Sequence, residues 1–317
     1  MIETAPTDAT GTAQGAMAGA PVDADLAPWL DGLLRRGSGV SIVEDSPLLF
    51  DAGDPRVLRC TLRDDAGRPS AHAAARLLEW EVRETPSGGA PRPAPRRLTI
   101  AVVGAVASEP RLRGRGFATR AVSEVIEAAH ARGAHVAVLW SEADALYARL
   151  GFAHAGSETT LVATADRISR PALGAVRPFR ADDLDAVARL HDAEPRRIVR
   201  DRATWRRLLA VPRLAAYVLE RDGAVHAFGV VGRGADLGGC LHTVGGDEHM
   251  LVDLAGGILA LRDAEELFVL LPPWKRRARA AFLLRGCLAQ EGPACMARAL
   301  RPGVDPAGLW FSGLDSM

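Results

Sequence analysis

Residues 106–119 read Val106-Ala107-Ser108-Glu109-Pro110-Arg111-Leu112-Arg113-Gly114-Arg115-Gly116-Phe117-Ala118-Thr119. The apolar, Val-rich run before them, 98–107, has the length and composition of a buried central strand. After them, Val122, Val125, Ile126 and Ala129 fall on one helical face, which predicts a helix over 117–132 ended by Gly133. The stretch is therefore a turn from a strand into a helix. Glycines let backbone approach an anion closely, and a helix start offers unpaired N–H groups at the positive end of its dipole. Arg113 and Arg115 add charge, so the segment reads as a phosphate cradle; the plainer alternative is a glycine-containing loop with solvated arginines. There is no GxxxxGK[ST] pattern, which excludes a P-loop. Thr119 stands where a dinucleotide fingerprint needs its third glycine, and several residues separate strand from loop.

Working outward, 135–140 is a second buried strand, and a short helix over 143–150 stops at Gly151. Together with Arg113, Gly116 and Ala118, the sequence Tyr147-Ala148-Arg149-Leu150-Gly151-Phe152 completes a pattern at strand–loop–helix–strand–helix spacing. This resembles the GCN5-related N-acetyltransferases, whose signatures are [Q/R]-x-x-G-x-[G/A] and Tyr-x-x-x-Gly-Phe; the resemblance covers about residues 40–165.

The resemblance implies acetyl-CoA held between two splayed parallel strands, 98–107 and 134–140. Its pyrophosphate would rest on the amides of Arg113, Gly114, Arg115, Gly116, Phe117, Ala118 and Thr119, and its pantetheine would pair with Val106, Ala107 and Ser108. Tyr147 would project toward the thioester sulfur as general acid, which suits a reaction whose departing thiolate needs a proton. A core role for Tyr147, beside Leu146 and Leu150, is the alternative. Where many members carry Asn, this chain has Trp140-Ser141-Glu142, so Ser141 and Glu142 join the expected cofactor site. That Ser-Glu pair resembles the enhanced-intracellular-survival branch, without room for that branch's third domain.

The pattern partly repeats after 175, giving an expected α/β (α+β) architecture of two tandem domains of this kind. Each would be a mixed, mostly antiparallel sheet with one splayed parallel pair and flanking helices. The expected division is a disordered tail 1–23, a catalytic domain 24–168, a linker 169–174, a degenerate domain 175–301 and a C-terminal tail 302–317. Gly245-Gly246-Asp247-Glu248 replaces the arginine–glycine loop, and acidic residues there would repel a pyrophosphate.

A general base for the amine is expected among Glu79, Glu81, Glu109 and Glu142, with Glu109 and Glu142 nearest the cleft. The chain end, Gly308-Leu309-Trp310-Phe311-Ser312-Gly313-Leu314-Asp315-Ser316-Met317, is unusually apolar for a terminus. By resemblance to the same branch, the Met317 carboxylate is a further candidate base, reaching in from the groove between the halves. A final strand on the second domain is the other reading.

Composition limits the alternatives. At about 150 residues per domain, 317 residues fit two domains. Thirty-nine basic and 39 acidic residues balance, against a nucleic-acid partner. No run approaches the ~20 apolar residues of a membrane span, and no signal peptide is apparent at the start. Four scattered cysteines and eight histidines without ligand spacing give no metal site, and a reducing cytoplasm is the expected compartment. The expected activity is acetyl-CoA-dependent transfer to a primary amine of a small molecule or peptide. A non-catalytic acyl-CoA-binding scaffold on the same fold is the alternative; the amine, the acyl length and the oligomeric state stay open.

Overall fold

A computed structural model describes residues 17–18, 22–34, 40–84, 93–168, 176–234 and 237–316. In the first half the elements are β1 (Met17–Ala18), α1 (Leu26–Leu34), α2 (Ile42–Asp45), β2 (Val57–Arg63), β3 (Pro69–Val82), β4 (Arg96–Ser108), α3 (Phe117–Ala131), β5 (Val136–Leu139), α4 (Asp144–Ala148), β6 (Ala153–Ala155) and β7 (Glu158–Thr164). The second half contributes β8 (Val176–Pro178), α5 (Leu184–Asp192), β9 (Arg196–Ile198), α6 (Arg202–Leu209), β10 (Ala215–Arg221), β11 (Ala224–Val231), β12 (Cys240–Gly246), α7 (Leu251–Arg262), β13 (Glu266–Leu271), α8 (Arg276–Leu284), β14 (Leu288–Gly292) and β15 (Cys295–Ala299).

Two mixed sheets result. The first runs β1-β2-β3-β4-β5-β15-β6, with β9 pairing on β3; the second runs β14-β7-β13-β12-β11-β10-β8. Each has one parallel pair, β4–β5 and β12–β13, amid antiparallel neighbours. The expected mixed α/β class with a splayed parallel pair in each half is what the chain forms.

The halves are not separate along the chain. β7, which ends the first half, lies in the second sheet between β13 and β14. Reciprocally, β15 lies between β5 and β6 of the first sheet. The exchange is symmetric: each half donates its last strand to the gap between the fifth and sixth positions of the other. Alternation predicts a strand but not which edge it joins, so sequence patterning could not show this. The 169–174 linker itself falls outside the described residues.

The stretch 1–23, read as a disordered tail, lies largely outside the described residues, yet Met17–Ala18 pairs antiparallel with β2. Asp23 and Asp25 also reach Arg63, at 2.6 and 2.8 Å. The free edge of β2 supplies the partner for this short strand. Between β3 and β4, residues 85–92 lie outside the described residues.

α3 packs Val122, Val125 and Ile126 on one face of the first sheet, against Ala73, Ala75, Ala101 and Val103. The run of buried alanines in β3 lets the helix approach closely. On the opposite face, Trp80, Ile100, Val136 and Val138 are covered by Leu309 and Phe311 of the C-terminal tail. Leu314 of the same tail enters a cluster with Trp205 and Phe228 of the second half. The apolar end is thus a strap between the halves. Several of its polar groups are bonded across to the body of the protein: Arg200 pairs with Asp315, Arg233 donates to the Gly313 carbonyl at 2.7 Å, and the Gly313 N–H donates to the His242 carbonyl at 3.2 Å. A side chain at Gly313 would meet the His242 ring at 2.5 Å, so only glycine fits that close approach.

Candidate active site

β4 and β5 pair only at Ile100–Val136, Ala101–Ala137 and Val102–Val138. β4 then continues to Ser108 while β5 ends at Leu139, so among the described residues no strand pairs with the backbone edge of 103–108 on that side. The divergence begins where β4 bulges. Between Gly104–Ala74 and Ala107–His72 of the β3–β4 register there are two residues on β4 against one on β3. Within that bulge Ala105 has φ 52, a left-handed conformation for a residue with a side chain. The bend turns Val106, Ala107 and Ser108 away from the β5 line. Sequence gave no signal for it, because the strained position is an alanine inside an apolar run.

After Ser108 the chain makes a single 3-10 turn, Pro110–Leu112, and then passes Gly114 and Gly116 at φ 74 and 81. Glycine adopts these angles without steric cost. Gly116 is the N-cap of α3, and no side chain bonds the first helical amides. The amides of Phe117, Ala118 and Thr119 are therefore left for an outside acceptor. A Cβ at Gly114 or Gly116 would meet nothing within 4 Å, so the loop faces open space. Arg113 and Arg115 are exposed, and Arg115 lies 5.7 Å over the Phe117 ring. The residues expected to hold a diphosphate thus lie together at one exposed, positively polarised end of the diverging strands. An uncapped helix start behind two left-handed glycines fits the pyrophosphate of acetyl-CoA.

Tyr147 sits in the last turn of α4, beyond the β5 end, and is buried at 6% exposure. Its ring meets Phe152 edge-on with centroids 6.0 Å apart, so the Tyr-x-x-x-Gly-Phe motif closes on itself. Burial pushes its hydroxyl pKa above the ordinary tyrosine value, and a hydrogen bond with Ser141 pulls the other way. The hydroxyl thus holds its proton through the neutral range. Ser141 also accepts the Ala143 N–H at 2.9 Å. Both expected roles of the tyrosine, core and site, are compatible with this placement. Ser141 is found bracing Tyr147; Glu142, beside it, is exposed.

The expected carboxylates are dispersed. Glu109 is half-buried and accepts the Trp29 indole N–H at 3.2 Å. Glu79 pairs with Arg97 at 2.8 Å. Glu81 is buried and bound by Arg83, Arg97 and Arg197, each at 2.9 Å. Burial alone would raise its pKa, but the guanidinium groups, Arg197 foremost, hold it below the ordinary glutamate value. Glu81 is therefore a structural junction between β3 and β9. Met317 lies outside the described residues.

Two groups were missed. Trp29 of α1 carries no local signal beyond its amphipathic position. Glu158 lines a cavity of about 320 Å3 between the halves, together with Trp140, Phe311 and Ser316. A glutamate at the start of an alternating strand reads as solvated, and only the strand exchange brings it inside.

Against known proteins, residues 94–155 match the family model described as an acetyltransferase (GNAT) domain. Over those residues the chain is similar to a GNAT acetyltransferase domain. The match spans β4, the glycine loop, α3, β5, α4 and β6, which are the elements that build the site. No curated protein matches the chain. Among solved structures, a GCN5-related N-acetyltransferase from Kribbella flavida is similar at TM-score 0.54 and 19% identity, over 81% of this chain and 63% of that one. A GCN5-related N-acetyltransferase from Anabaena variabilis is similar at TM-score 0.60 and 14% identity, over 86% and 69%. Eis1 from Mycobacterium abscessus is similar at TM-score 0.54 and 18% identity, again over 86% and 69%. The chain thus spans 63% of the Kribbella protein and a little over two thirds of the other two. The likeness is one of fold, and Eis1 is among the proteins that share it.

Proposed function

We propose that the protein is an N-acetyltransferase that moves the acetyl group of acetyl-CoA to a primary amine of a small molecule or peptide. The observation that carries this reading is the uncapped start of α3 behind Gly114 and Gly116, at the open end of the β4–β5 divergence. When bound, acetyl-CoA supplies an activated acetyl thioester and a thiolate leaving group. Amides 117–119, with Arg113 and Arg115, bind the diphosphate. The free edge of Val106–Ala107–Ser108 orients the pantetheine by strand-like hydrogen bonds. Tyr147, kept protonated by burial and braced by Ser141, donates its hydroxyl proton to the departing sulfur.

Ser141 and Glu142 stay assigned to the cofactor side of the site, Ser141 through Tyr147. For the base, the Met317 carboxylate is favoured over Glu109. Ser316, the residue before Met317, lines the same cavity as Trp140, whereas Glu109 is engaged by Trp29. Deleting Met317 and Ser316 from a protein that still folds tests the carboxylate; unchanged turnover removes it.

The defining experiment is a calorimetric titration with acetyl-CoA, followed by an amine panel scored by released thiol. Binding with amine-dependent thiol release is expected. Tight binding without release from any amine would favour the acyl-CoA-binding scaffold, and no binding would end both.

A further inference from the structure

One acidic group plays no part in the scheme above. Glu158 opens β7, the exchanged strand, and its carboxylate lines the 320 Å3 cavity between the halves. Trp140 and Phe311 form an aromatic wall there, edge to face at 5.7 Å. Trp140 immediately precedes Ser141, which is bonded to Tyr147, so the cavity and the tyrosine flank one turn at the end of β5.

The charged neighbours of Glu158 are otherwise engaged. Across the lining, Arg233 donates to the carbonyls of Gly313 and Asp45, at 2.7 and 3.2 Å, and Asp45 is the other acid. From the packed strands Cys240 of β12 and Cys295 of β15 face Glu158, and burial pushes both thiols up to about 12, so they are neutral. The uncharged Trp310 indole of the tail faces the carboxylate as a donor and partly offsets the effect of its burial. No salt bridge reaches Glu158 among the described residues. It is a carboxylate partly withdrawn from water without a cation, beside aromatic rings that attract cations.

We propose that Glu158, in place of the Met317 carboxylate, receives the ammonium group of the acceptor in this cavity and takes its proton, and that the acceptor is a primary amine whose apolar or aromatic body packs on Trp140 and Phe311. This rests on the acetyl-transfer reading and names its acceptor side. In the balanced step, the ammonium nitrogen gives one proton to a Glu158 oxygen. The N–C bond then forms as the thioester C–S bond breaks, and the thiolate takes the Tyr147 proton. The second proton lost by the nitrogen restores the tyrosine through solvent, and Glu158 releases its own, so one proton leaves per turnover. Burial pushes the Glu158 carboxyl up to about 7, which suits a base working near neutrality.

The test uses the full chain and Glu158→Gln, with thermal melting to establish that both fold. 2-Phenylethylamine, without acetyl-CoA, and acetyl-CoA, without amine, are titrated calorimetrically at pH 8 and pH 6. The amine stays protonated throughout. Wild type should lose roughly tenfold in amine affinity from pH 8 to pH 6, as Glu158 protonates, and Glu158→Gln should bind weakly at both. Acetyl-CoA affinity should be alike in the two proteins. In turnover, Glu158→Gln should lose about 100-fold in kcat/KM, with the limb near pH 7. Equal amine affinity in both proteins, or none in either, overturns the proposal. Selective amine binding by wild type with no acetyl-CoA binding in either protein leaves the ammonium site standing and removes the acetyl-transfer reading instead.

Discussion

In the first half, the loop between β4 and α3 holds Gly114 and Gly116 in left-handed conformations and leaves the helix start uncapped. In the second half, the equivalent loop between β12 and α7 carries Asp247 and Glu248, and each carboxylate is already bonded to backbone. Asp247 accepts the His249 N–H at 3.0 Å. Glu248 accepts the N–H groups of Arg277 and Ala278, at 2.8 and 3.2 Å, at the start of α8. The space beside them is filled as well. Lys275, the chain's only lysine, is buried with its ammonium 2.6 Å from Glu194 and 3.2 Å from the Gly246 carbonyl. Trp274 donates to the other Glu194 oxygen at 3.0 Å. One plan therefore yields a loop free of acidic side chains at the start of α3 in one half, and in the other a loop whose two carboxylates are already bonded to backbone amides. The lesson is that a helix start binds an external anion only when the chain supplies no anion of its own.

The largest effect should come from separating the halves. Residues 1–168 and 169–317 each lack the strand that fills the gap in their own sheet. Expressed apart, neither should show a cooperative thermal transition by circular dichroism; co-expressed, they should recover one. A cooperative melt of either fragment alone would show that the exchanged strands are dispensable.

Next is Tyr147→Phe. If the first half alone is chemically competent, this variant should lose roughly 100-fold or more in kcat with acetyl-CoA affinity unchanged. The corresponding region of the second half offers only Trp274 and Lys275, so it cannot compensate. A kcat within threefold of wild type would make Tyr147 a packing residue.

How much of this contrast could be read beforehand follows from the physics of each signal. The strand 98–107, the helix 117–132 and the strand 135–140 are observed as Arg96–Ser108, Phe117–Ala131 and Val136–Leu139. Their signal was hydrophobic period, which the core enforces locally. The glycines were legible for the same reason: positive φ is a property of one residue. What escaped depended on partners distant in sequence. β9 pairs with β3 across more than 110 residues, and three residues are too few for periodicity. α8 was hidden because its arginine-rich sequence gives only a narrow buried stripe, Ala278 and Phe282.

Lys275→Ala sharpens the comparison from the second half. It leaves Glu194 buried and unpaired beside Trp274. Removing one partner of such a pair costs about 3–5 kcal/mol, because the remaining charge keeps its desolvation penalty. Urea unfolding should show that loss, with acetyl-CoA affinity of the folded protein unchanged. A stable variant with weakened acetyl-CoA binding would mean that the second half takes part in holding the cofactor.

The smallest effect tests the comparison most directly, by giving the first loop the second loop's charge. Arg115→Asp places a carboxylate where Asp247 stands in the repeat, at an exposed position. Its fold should be unaffected, since surface changes of this kind seldom exceed ~0.5 kcal/mol. Acetyl-CoA should bind about tenfold more weakly, about 1.4 kcal/mol. The loss should shrink as salt is raised, because both charges lie in solvent. Pantetheine, which has no diphosphate, should bind both proteins alike. The reverse exchange is not symmetric: Glu248→Ala frees amides at α8, yet Lys275 and Glu194 still occupy the neighbouring space, so it should gain no acetyl-CoA binding. If Arg115→Asp were silent at low salt, the diphosphate would have to lie away from the α3 start, and the difference between the two loops would lose its functional meaning.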